Sequence, residues 1–384
     1  MENFNFISNT KIYFGKNRIN ELDIILHNYK FKNIALLYGK NSIKKSGLYD
    51  RIINKLGSFN VYEVSGIEAN PKLSLIIKAR EELKDKNIDC LLAVGGGSVL
   101  DTAKNLSHSM YYDGNPFDFN TKKATTDKVI PVISILTIAA AGSELSDSCV
   151  ISNDLVNPYV KLGFNADSNR PLATIMDPTL TYSVSKFQTG CGIVDMMMHT
   201  LERFLNPNDD CMLADNIAIG LLKTVLHYGK IVIDNPNDYE ARANLMLASS
   251  LSHNGLTGLG KKTFMRVHGI EHILSGCYDN IAHGEGLSVL FPAWCLYISD
   301  DMKANAKLAK LGKELFGKED AIYFINKLKE YFKDIGMPTK LADFKTDLDI
   351  KKMALLYSDN KKKTLKDFKD LDYDAFIKIF EEAK

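Results

Sequence analysis

A change in hydrophobic patterning near residue 180 divides this sequence into two parts. Before it, short runs rich in β-branched residues alternate with segments of helical periodicity, an order that favours a parallel sheet with helices on both faces. The predicted strands are residues 34–38, 61–64, 90–94 and 129–137. After it, stretches such as 211–230, 239–253 and 302–315 carry apolar residues at helical spacing. We predict an α/β domain over residues 1–181 and an all-α domain over residues 182–384.

The composition narrows the class of protein. The 384 residues are 45% hydrophobic, which is enough for two cores. Since 48 Lys+Arg balance 47 Asp+Glu, no strong field attracts nucleic acid or an anionic membrane. The longest nearly apolar run, residues 129–142, is too short to cross a bilayer. Six cysteines without a C-x-x-C pair are typical of buried thiols in a reducing compartment. We expect a cytoplasmic protein that binds neither nucleic acid nor membrane.

A glycine turn in the first part has the form of a phosphate site. The apolar strand 90–94 runs into Gly95-Gly96-Gly97-Ser98 and then into a segment of helical character. Glycines let the backbone approach a phosphate closely, and the helix presents free N–H groups to it. Ser98 is a candidate for the helix N-cap or for a donor to the phosphate. The alternative is a tight turn that only packs strand against helix.

Two neighbouring features also allow more than one interpretation. Asp101 and Lys104 lie three residues apart on the predicted helix, where they can form a simple surface ion pair. The segment 137–144 combines small residues with hydroxyls after the next strand. It can lie against a cofactor, or its small side chains can serve only close packing.

Histidines in the second part cluster at metal-binding spacing. Asp195 and His199 are four residues apart, on one face of a predicted helix, and His268 and His272 repeat that spacing. His283 follows in a glycine-rich turn. One carboxylate with three imidazoles favours Fe(II), Zn(II), Co(II) or Mn(II) over Mg or Ca, and an open position would make the ion a Lewis acid. His272 can stand beside the ion as a proton carrier.

These motifs resemble the iron-containing (group III) alcohol dehydrogenase family, and within it the branch of butanol dehydrogenases and NADPH-dependent aldehyde reductases. The resemblance runs almost from end to end of the chain. The matching segments are Gly66 to Pro71, Gly95 to Lys104, Gly142-Ser143-Glu144, Asp177 to Thr181, Gly192 to Asp195 with His199, His268 to His272, and His283 to Gly286.

The resemblance implies a dehydroquinate synthase-like architecture. In it, a Rossmann-like α/β domain binds a dinucleotide, an all-α domain binds a metal, and the active site lies in the cleft between them. It implies that one divalent metal, Fe(II) or Zn(II), is held by Asp195, His199, His268 and His283, with His272 beside it. The dinucleotide-binding residues that it implies are Gly39, Ser42, Asn70, Gly96, Gly97, Ser98, Asp101, Thr137, Lys161 and Leu180.

The coenzyme is predicted from the residues around Gly39, which matches the deciding position of the family. An NAD site usually offers a carboxylate to the ribose hydroxyls, whereas an NADP site must not. Residues 38–45 contain no acid and offer an amide, the Ser42 hydroxyl and several lysines. We predict that NADP(H) is preferred over NAD(H). The alternative is that these lysines are merely solvated.

The activity that the resemblance implies is the reversible reduction of a small aldehyde to a primary alcohol. A proton would arrive through His272, a ribose hydroxyl or water, and a homodimer is the expected assembly. Candidates for the substrate pocket are Phe164, Phe264 and Tyr278. The alternatives are a glycerol dehydrogenase-like polyol oxidoreductase, a dehydroquinate-synthase-like lyase, and a catalytically silent metal- or nucleotide-binding protein.

Two positions depart from the family pattern. Ala141 stands where many relatives have threonine or serine, which removes one possible hydrogen bond to the cofactor. Ser185 replaces a common proline, a change that bears on the hinge between the two domains.

Overall fold

A six-stranded parallel sheet organises the first part of the chain in the computed structural model, which describes residues 1–207 and 211–384. The strands are β1 (Lys11–Phe14), β2 (Asn33–Gly39), β3 (Asn60–Ile67), β4 (Cys90–Gly95), β5 (Val132–Leu136), β6 (Ser148–Asn153), β7 (Val160–Asn165) and β8 (Ala173–Met176). The sheet has the order β1-β8-β5-β4-β2-β3, with every neighbouring pair parallel. Strands β6 and β7 form a separate antiparallel hairpin.

Helices accompany this sheet and make up the regular structure of the later residues. The first helices are α1 (Leu22–Asn28), α2 (Ser42–Lys45), α3 (Leu48–Lys55), α4 (Leu73–Leu83) and α5 (Gly97–Ser109). They are followed by α6 (Lys186–Phe204), α7 (Met212–Asp234), α8 (Tyr239–His253), α9 (Arg266–Cys277), α10 (His283–Ile298), α11 (Met302–Phe316), α12 (Ala321–Asp334), α13 (Ile350–Tyr357) and α14 (Tyr373–Glu382). The predicted fold class, a parallel α/β part followed by a helical part, is confirmed.

The central strands are apolar along their whole length because both faces of the sheet are covered. Every residue of β4 and β5 is buried. Alternate side chains of a strand point to opposite faces, so Leu91 and Ala93 join one core, which includes α4 and α5. Leu92 and Val94 join the other core, which includes α1 and α3. This explains why the strands read as continuous apolar runs rather than as alternating patterns.

The chain order creates a switch point beside β4. From β2 the chain adds β3 on one side, and then returns to place β4 on the other side of β2. In open parallel sheets, ligands bind at such a point, outside the carboxyl ends of the strands. The glycine turn that begins at Gly95 lies at the carboxyl end of β4.

The sequence pattern predicts β2 to β5 but not the other four strands. Strands β1 and β8 have four residues each, and β1 lies at the edge of the sheet. The hairpin of β6 and β7 places Cys149 opposite Phe164, and α5 contacts β6. Several side chains of β7 are exposed, so its sequence carries a weak apolar signal.

The chain divides into two compact units. The α/β unit comprises Ile7–Val184 and Asn237–Ser250, and the helical unit comprises Met1–Phe6, Ser185–Pro236 and Leu251–Lys384. The predicted division at residue 181 differs from this because most of α8 belongs to the α/β unit. There, Ser249 donates a hydrogen bond to the carbonyl of Ala140, and the Ser250 hydroxyl donates to the Glu144 carboxylate. Such tertiary contacts leave no local mark on the sequence of α8.

Among the described residues, helix α7 is long and apolar enough to span a membrane by length and composition. In that window, 39% of the residues are buried inside the structure. Buried residues of α7 include Ala218, Leu222 and Val225, and the helix contacts α6 and α11. The buried residues recur at helical spacing, which is the pattern of a helix that packs one face against its neighbours.

Candidate active site

Helix α6 carries two of the predicted metal ligands on one buried face. Asp195 and His199 are four residues apart and are 6% and 5% exposed. The helix is capped by Ser185, whose hydroxyl accepts a hydrogen bond from the backbone N–H of Gln188 at 3.2 Å. Ser185 is therefore the N-cap of the helix that carries these two predicted ligands.

Helices α9 and α10 bring the other two predicted ligands to the same point. The Nε2 atom of His268 lies 3.5 Å from Asp195 Oδ1. The Nε2 atom of His283, the first residue of α10, lies 3.8 Å from that oxygen, and His199 Nδ1 lies 3.6 Å from it. Residues from three helices thus converge on one carboxylate oxygen.

The donor set fits a divalent cation. Asp195 Oδ1, His199 Nδ1 and His268 Nε2 are buried without a hydrogen-bond partner, and ligand atoms of these three residues lie within 4.8 Å of one another. Buried polar atoms without partners are costly in free energy. A cation bound here would satisfy all three, and one oxygen with imidazole nitrogens suits Fe(II), Zn(II) or a similar ion.

The surroundings shift the pKa values of His199 and His268 in opposite directions. Burial, together with the charges of His253 and His268, holds the pKa of His199 well below its usual value. Burial also lowers the pKa of His268, but the charges and hydrogen bonds of Glu202 and Asp195 together outweigh burial and raise that pKa to about 9.

The predicted proton carrier, His272, lies one turn beyond His268 on α9 and is half-buried. Its ring centroid is 5.6 Å from that of His283. Ligand atoms of Glu271, His272 and His283 form a second group within 4.8 Å of one another. His272 thus lies beside the predicted ligands, where the sequence analysis expected it.

Two carboxylates near this cluster were missed by the sequence analysis. Glu202 accepts a hydrogen bond from Nδ1 of His268, and Glu271 accepts one from Nδ1 of His283. Both carboxylates follow a histidine by three residues, as in His199-x-x-Glu202 and His268-x-x-Glu271. This repeated H-x-x-E spacing is the feature of the sequence that indicates the two carboxylates.

A fifth histidine of the cluster was also missed. The ring of His253 stacks on that of His199, with centroids 3.9 Å apart and an interplanar angle of 29°. Arg203 donates to Nδ1 of His253 at 3.0 Å and to the backbone carbonyls of His199 and Ser252. No spacing in the sequence links His253 to the other histidines.

Most predicted dinucleotide residues lie just beyond the carboxyl ends of parallel strands. Gly39 ends β2, Asn70 follows β3, Thr137 follows β5 and Leu180 follows β8. The backbone N–H of Thr137 donates to the carbonyl of Gly95 at 3.1 Å. Lys161 lies instead on β7, and its charge lowers the pKa of Asp101, which burial raises more strongly. The sheet thus gathers these positions along one edge.

The glycine turn is shaped by close packing. Gly96, not Ser98, is the N-cap of α5, and a Cβ atom on Gly96 would overlap Cγ2 of Ile138. A Cβ atom on Gly97 would lie 3.2 Å from that of Ala141. The small residue at 141, which departs from the family pattern, therefore lies against the turn. The start of α5 remains an anion-binding geometry, with Gly97 and Ser98 in its first turn.

Asp101 and Lys104 do not form the surface pair that the sequence allows. Lys104 is fully buried, and its Nζ donates to four oxygens, the carbonyls of Ser143, Ser146 and Ser148 and the Ser143 hydroxyl, at 2.7 to 3.0 Å. Asp101 accepts from the Ser143 hydroxyl at 2.6 Å and from the N–H of Val150 at 2.9 Å. This pair holds the segment 143–150 against α5.

Acidic residues approach the predicted coenzyme-selecting segment from elsewhere in the chain. Lys40 Nζ lies 2.6 Å from the Glu68 carboxylate, which follows β3. The Lys44 ammonium lies over the rings of Tyr38 and Tyr49, 5.3 and 4.8 Å from their centroids. Ser42 is exposed at the start of α2. Lys40 and Lys44 are therefore engaged with partners, which the local sequence of residues 38–45 does not show.

The three pocket candidates have different surroundings. Phe164 is 7% exposed and packs in a core of the α/β unit, with its ring centroid 5.3 Å from that of His108. Phe264 is half-buried under the guanidinium of Arg266. The Tyr278 hydroxyl accepts a hydrogen bond from the N–H of Asp349 at 2.7 Å.

Comparison with known proteins identifies the family. Residues 9–178 match the family model "Iron-containing alcohol dehydrogenase", and residues 189–384 match "Fe-containing alcohol dehydrogenase family, C-terminal". The NADH-dependent butanol dehydrogenase A of Clostridium acetobutylicum is 37% identical over 100% of both chains. The NADPH-dependent aldehyde reductase YqhD of Escherichia coli is 31% identical over 90% of both.

A solved structure extends the agreement to three dimensions. The crystal structure of NADH-dependent butanol dehydrogenase A from Thermotoga maritima superposes with a TM-score of 0.93 at 33% sequence identity, covering 100% of this chain and 99% of the other. The two family matches together span both units of the present structure. The chain therefore belongs to the iron-containing alcohol dehydrogenase family and is an NAD(P)-dependent, metal-dependent alcohol dehydrogenase.

Proposed function

We propose that this enzyme catalyses the reversible reduction of a small aldehyde to a primary alcohol, with NADPH as its preferred coenzyme. The observation that carries the proposal is the convergence of three imidazoles on Asp195 Oδ1 at 3.5 to 3.8 Å. Three of these four donor atoms, those of Asp195, His199 and His268, are buried without a hydrogen-bond partner, which suits a catalytic ion rather than a hydrogen-bonded network.

The proposed metal ligands are Asp195, His199, His268 and His283, and the ion is Fe(II) or Zn(II). When bound, the ion would polarise the substrate carbonyl and the dihydronicotinamide would supply the hydride. The side chain of His283 is 25% exposed, whereas that of Asp195 is 8% exposed, so the ligand cluster is more open on the His283 side. That exposure leaves room for substrate next to the ligands.

We propose that the residues at the carboxyl edge of the sheet bind the dinucleotide. Gly96, Gly97 and Ser98 would hold the pyrophosphate through the N–H groups that begin α5. Asn70, Thr137, Lys161 and Leu180 would line the rest of the site. The carboxylate of Asp101 already accepts two protein hydrogen bonds, so we assign it to holding the segment 143–150 rather than to direct contact.

We propose His272 as the residue that passes a proton to the product oxygen through a ring nitrogen. Its half-buried ring lies next to that of His283, on the same helix as His268. An imidazole is suited to this role because its ordinary pKa lies near neutral pH.

The preference for NADPH rests on the segment after β2. Gly39 presents no carboxylate to a ribose, and Ser42 with Lys44 and Lys45 offers donors to a 2′-phosphate. The ion pair of Lys40 with Glu68 moderates this preference because it places a carboxylate nearby. Rates with NADPH and NADH at equal concentration measure the preference, and a higher kcat/KM with NADH would contradict it.

The central test is turnover by the metal-loaded enzyme. Protein loaded with Fe(II) or Zn(II) should oxidise NADPH when butyraldehyde is added, followed by the loss of dihydronicotinamide absorbance. Asp195→Ala should lower kcat/KM about 10³-fold, because several kcal/mol of charge stabilisation depend on the ion.

The control for that test is Asp334→Ala. Asp334 forms an exposed ion pair with Lys230 at 2.6 Å, and such pairs contribute little to stability. This variant should keep its activity. An enzyme without turnover on any short aldehyde would contradict the substrate, and full activity of Asp195→Ala would contradict the metal site.

We propose a homodimer in the cytoplasm. All six cysteines are free, and four of them are buried. Unpaired thiols suit a reducing compartment. Sedimentation of the full chain measures the assembly state.

A further inference from the structure

Two of the ligand histidines share a feature that the ligand set alone does not explain. Each of the helices α6 and α9 carries the sequence H-x-x-E, and in each case the glutamate contacts a histidine of a different helix. Glu202 of α6 contacts His268 of α9, and Glu271 of α9 contacts His283 of α10. The contacts therefore link the three helices in order.

The first link is made by Glu202, which is 2% exposed. Its carboxylate accepts a hydrogen bond from Nδ1 of His268 and another from the backbone N–H of Val267 at 2.8 Å. Because an ionised carboxylate only accepts, the proton of a neutral His268 lies on Nδ1. The lone pair of Nε2 then points to Asp195 Oδ1, 3.5 Å away.

The second link has the same geometry. Glu271 has no solvent exposure, and it accepts a hydrogen bond from Nδ1 of His283. The Nε2 atom of His283 consequently faces Asp195 Oδ1 at 3.8 Å. Gly286 lies against Glu271, where a Cβ atom would come within 2.8 Å of the Glu271 Cγ, so a larger residue there would displace the carboxylate.

The two glutamates also affect the imidazoles through their negative charge, in addition to orienting them. Two buried carboxylates increase the negative charge around the cluster, and a carboxylate makes the imidazole that it contacts a stronger ligand. The third imidazole, His199, is supported differently, by the stacked ring of His253. The site thus has two imidazoles supported by anions and one supported by an aromatic ring.

We propose that Glu202 and Glu271 are positioning residues of the active site. They fix the tautomers of His268 and His283 and increase the affinity of these histidines for the divalent ion. This inference rests on the proposed function, since it assumes that these histidines bind the catalytic metal. Neither glutamate touches substrate or coenzyme in this proposal. Each acts through the imidazole to which it is bonded.

The experiment measures metal affinity rather than activity alone. Glu202→Gln and Glu271→Gln keep the size of the side chain and an accepting oxygen but remove the charge, whereas Glu202→Leu removes both. Zn(II) affinity is measured on the full chain by competition with a chelator, and the visible spectrum of the Co(II) form reports the ligand field. We expect each Gln variant to bind Zn(II) about 10-fold more weakly, and Glu202→Leu about 100-fold more weakly.

The control is Glu144→Gln. Glu144 is a buried carboxylate of the α/β unit that contacts Ser250, so the variant removes a buried carboxyl group without touching an imidazole. Its Zn(II) affinity and Co(II) spectrum should equal those of the wild type. Thermal unfolding of the metal-free proteins separates a loss of metal affinity from a loss of folding, because the Gln variants should unfold near the wild-type temperature.

The outcomes are distinguishable. Gln variants that fold normally and bind Zn(II) as tightly as the wild type, with an unchanged Co(II) spectrum, would overturn the positioning role while leaving the proposed function intact. Wild-type protein that binds neither Zn(II) nor Co(II) would overturn both. Weaker binding with a shifted Co(II) spectrum, confined to the Glu202 and Glu271 variants, supports the proposal.

Discussion

Two buried charged sites, one in each unit, differ in whether the protein supplies hydrogen-bond partners for their polar atoms. In the α/β unit, Lys104 is fully buried and all of its donors are engaged, by four oxygens of Ser143, Ser146 and Ser148. In the helical unit, Asp195 Oδ1 and two imidazole nitrogens are buried without a hydrogen-bond partner. The first arrangement is complete within the folded protein, whereas the second would be completed by the ion that we propose it binds.

The two sites therefore have different effects on stability. Lys104 holds protein segments in place, whereas the Asp195 cluster offers atoms to a ligand. A buried charge with full hydrogen bonding rigidifies the backbone around it, here the segment 143–150. A buried charge without partners raises the free energy of the metal-free fold, and the binding of an ion recovers that free energy. Lys104 should therefore stabilise the fold with or without metal, whereas the Asp195 cluster should stabilise it only when metal is bound.

The largest expected effect on stability follows from removal of the Lys104 charge. Lys104→Met leaves three buried carbonyls without their donor, and it leaves Asp101 without its nearby cation. We expect the free energy of unfolding to fall by about 3 kcal/mol, since one partner of a buried polar network is removed. Urea unfolding of the metal-free wild type and variant measures this change in the free energy of unfolding.

A matched substitution tests whether burial is the cause. Lys84 pairs with Glu81 three residues away, as Lys104 does with Asp101, but both members of the Lys84 pair are exposed. Lys84→Met should change the free energy of unfolding by less than about 0.5 kcal/mol. Equal losses in the two variants would show that the burial of Lys104 is not the cause of its effect on stability.

The sequence predicted the parts of each site that depend on local spacing. Asp195 and His199 follow the helical repeat, and the glycine turn follows an apolar strand, so periodicity alone places them. Lys104 was open to misinterpretation because α5 is buried on most sides, with Asn105, Ser107 and His108 also inside. A polar residue on a helix normally indicates the solvent side, and here the sheet and the β6–β7 hairpin cover that side.

The remaining parts depend on contacts between distant segments. Glu202 and His268 are bonded across 66 residues, and the assignment of most of α8 to the α/β unit depends on Ser249 and Ser250. Glu68 meets Lys40 because β2 and β3 are neighbours in the sheet, although the segment around Gly39 itself contains no acid. Pairings of this kind are set by tertiary structure, which no local pattern encodes.

A smaller effect is expected at the glycine turn. Gly96→Ala places a methyl group against Cγ2 of Ile138, so the turn must shift. Overpacking of this kind costs about 2 kcal/mol, and we expect NADPH to bind at least about 10-fold more weakly. Fluorescence titration measures the Kd. Zn(II) content should be unchanged, because the substitution lies in the α/β unit.

The double variant Gly96→Ala/Ile138→Ala checks the cause of that effect. Removal of the Ile138 side chain beyond Cβ creates the space that the new methyl group needs. NADPH affinity should recover at least in part. A double variant that binds NADPH as weakly as Gly96→Ala would show that the glycine is required by the ligand itself rather than by its packing against Ile138.

The smallest expected effect on the free energy of unfolding comes from Asp367, a partly buried carboxyl group. Asp367 of the helical unit accepts a hydrogen bond from the indole N–H of Trp294 at 3.2 Å, and burial raises its pKa from 3.8 to about 6. Because the folded chain binds this proton more tightly than the unfolded chain, the group favours folding below pH 4, and that contribution is lost as the pH rises through 6. Between pH 5 and 7, the wild type should lose about 1 kcal/mol relative to Asp367→Asn, which cannot ionise. Urea unfolding of both metal-free proteins at the two pH values measures this difference. Parallel pH profiles would mean that Asp367 is as well solvated as a surface carboxylate, and the contrast between satisfied and unsatisfied buried charge would then be confined to Lys104 and the Asp195 cluster.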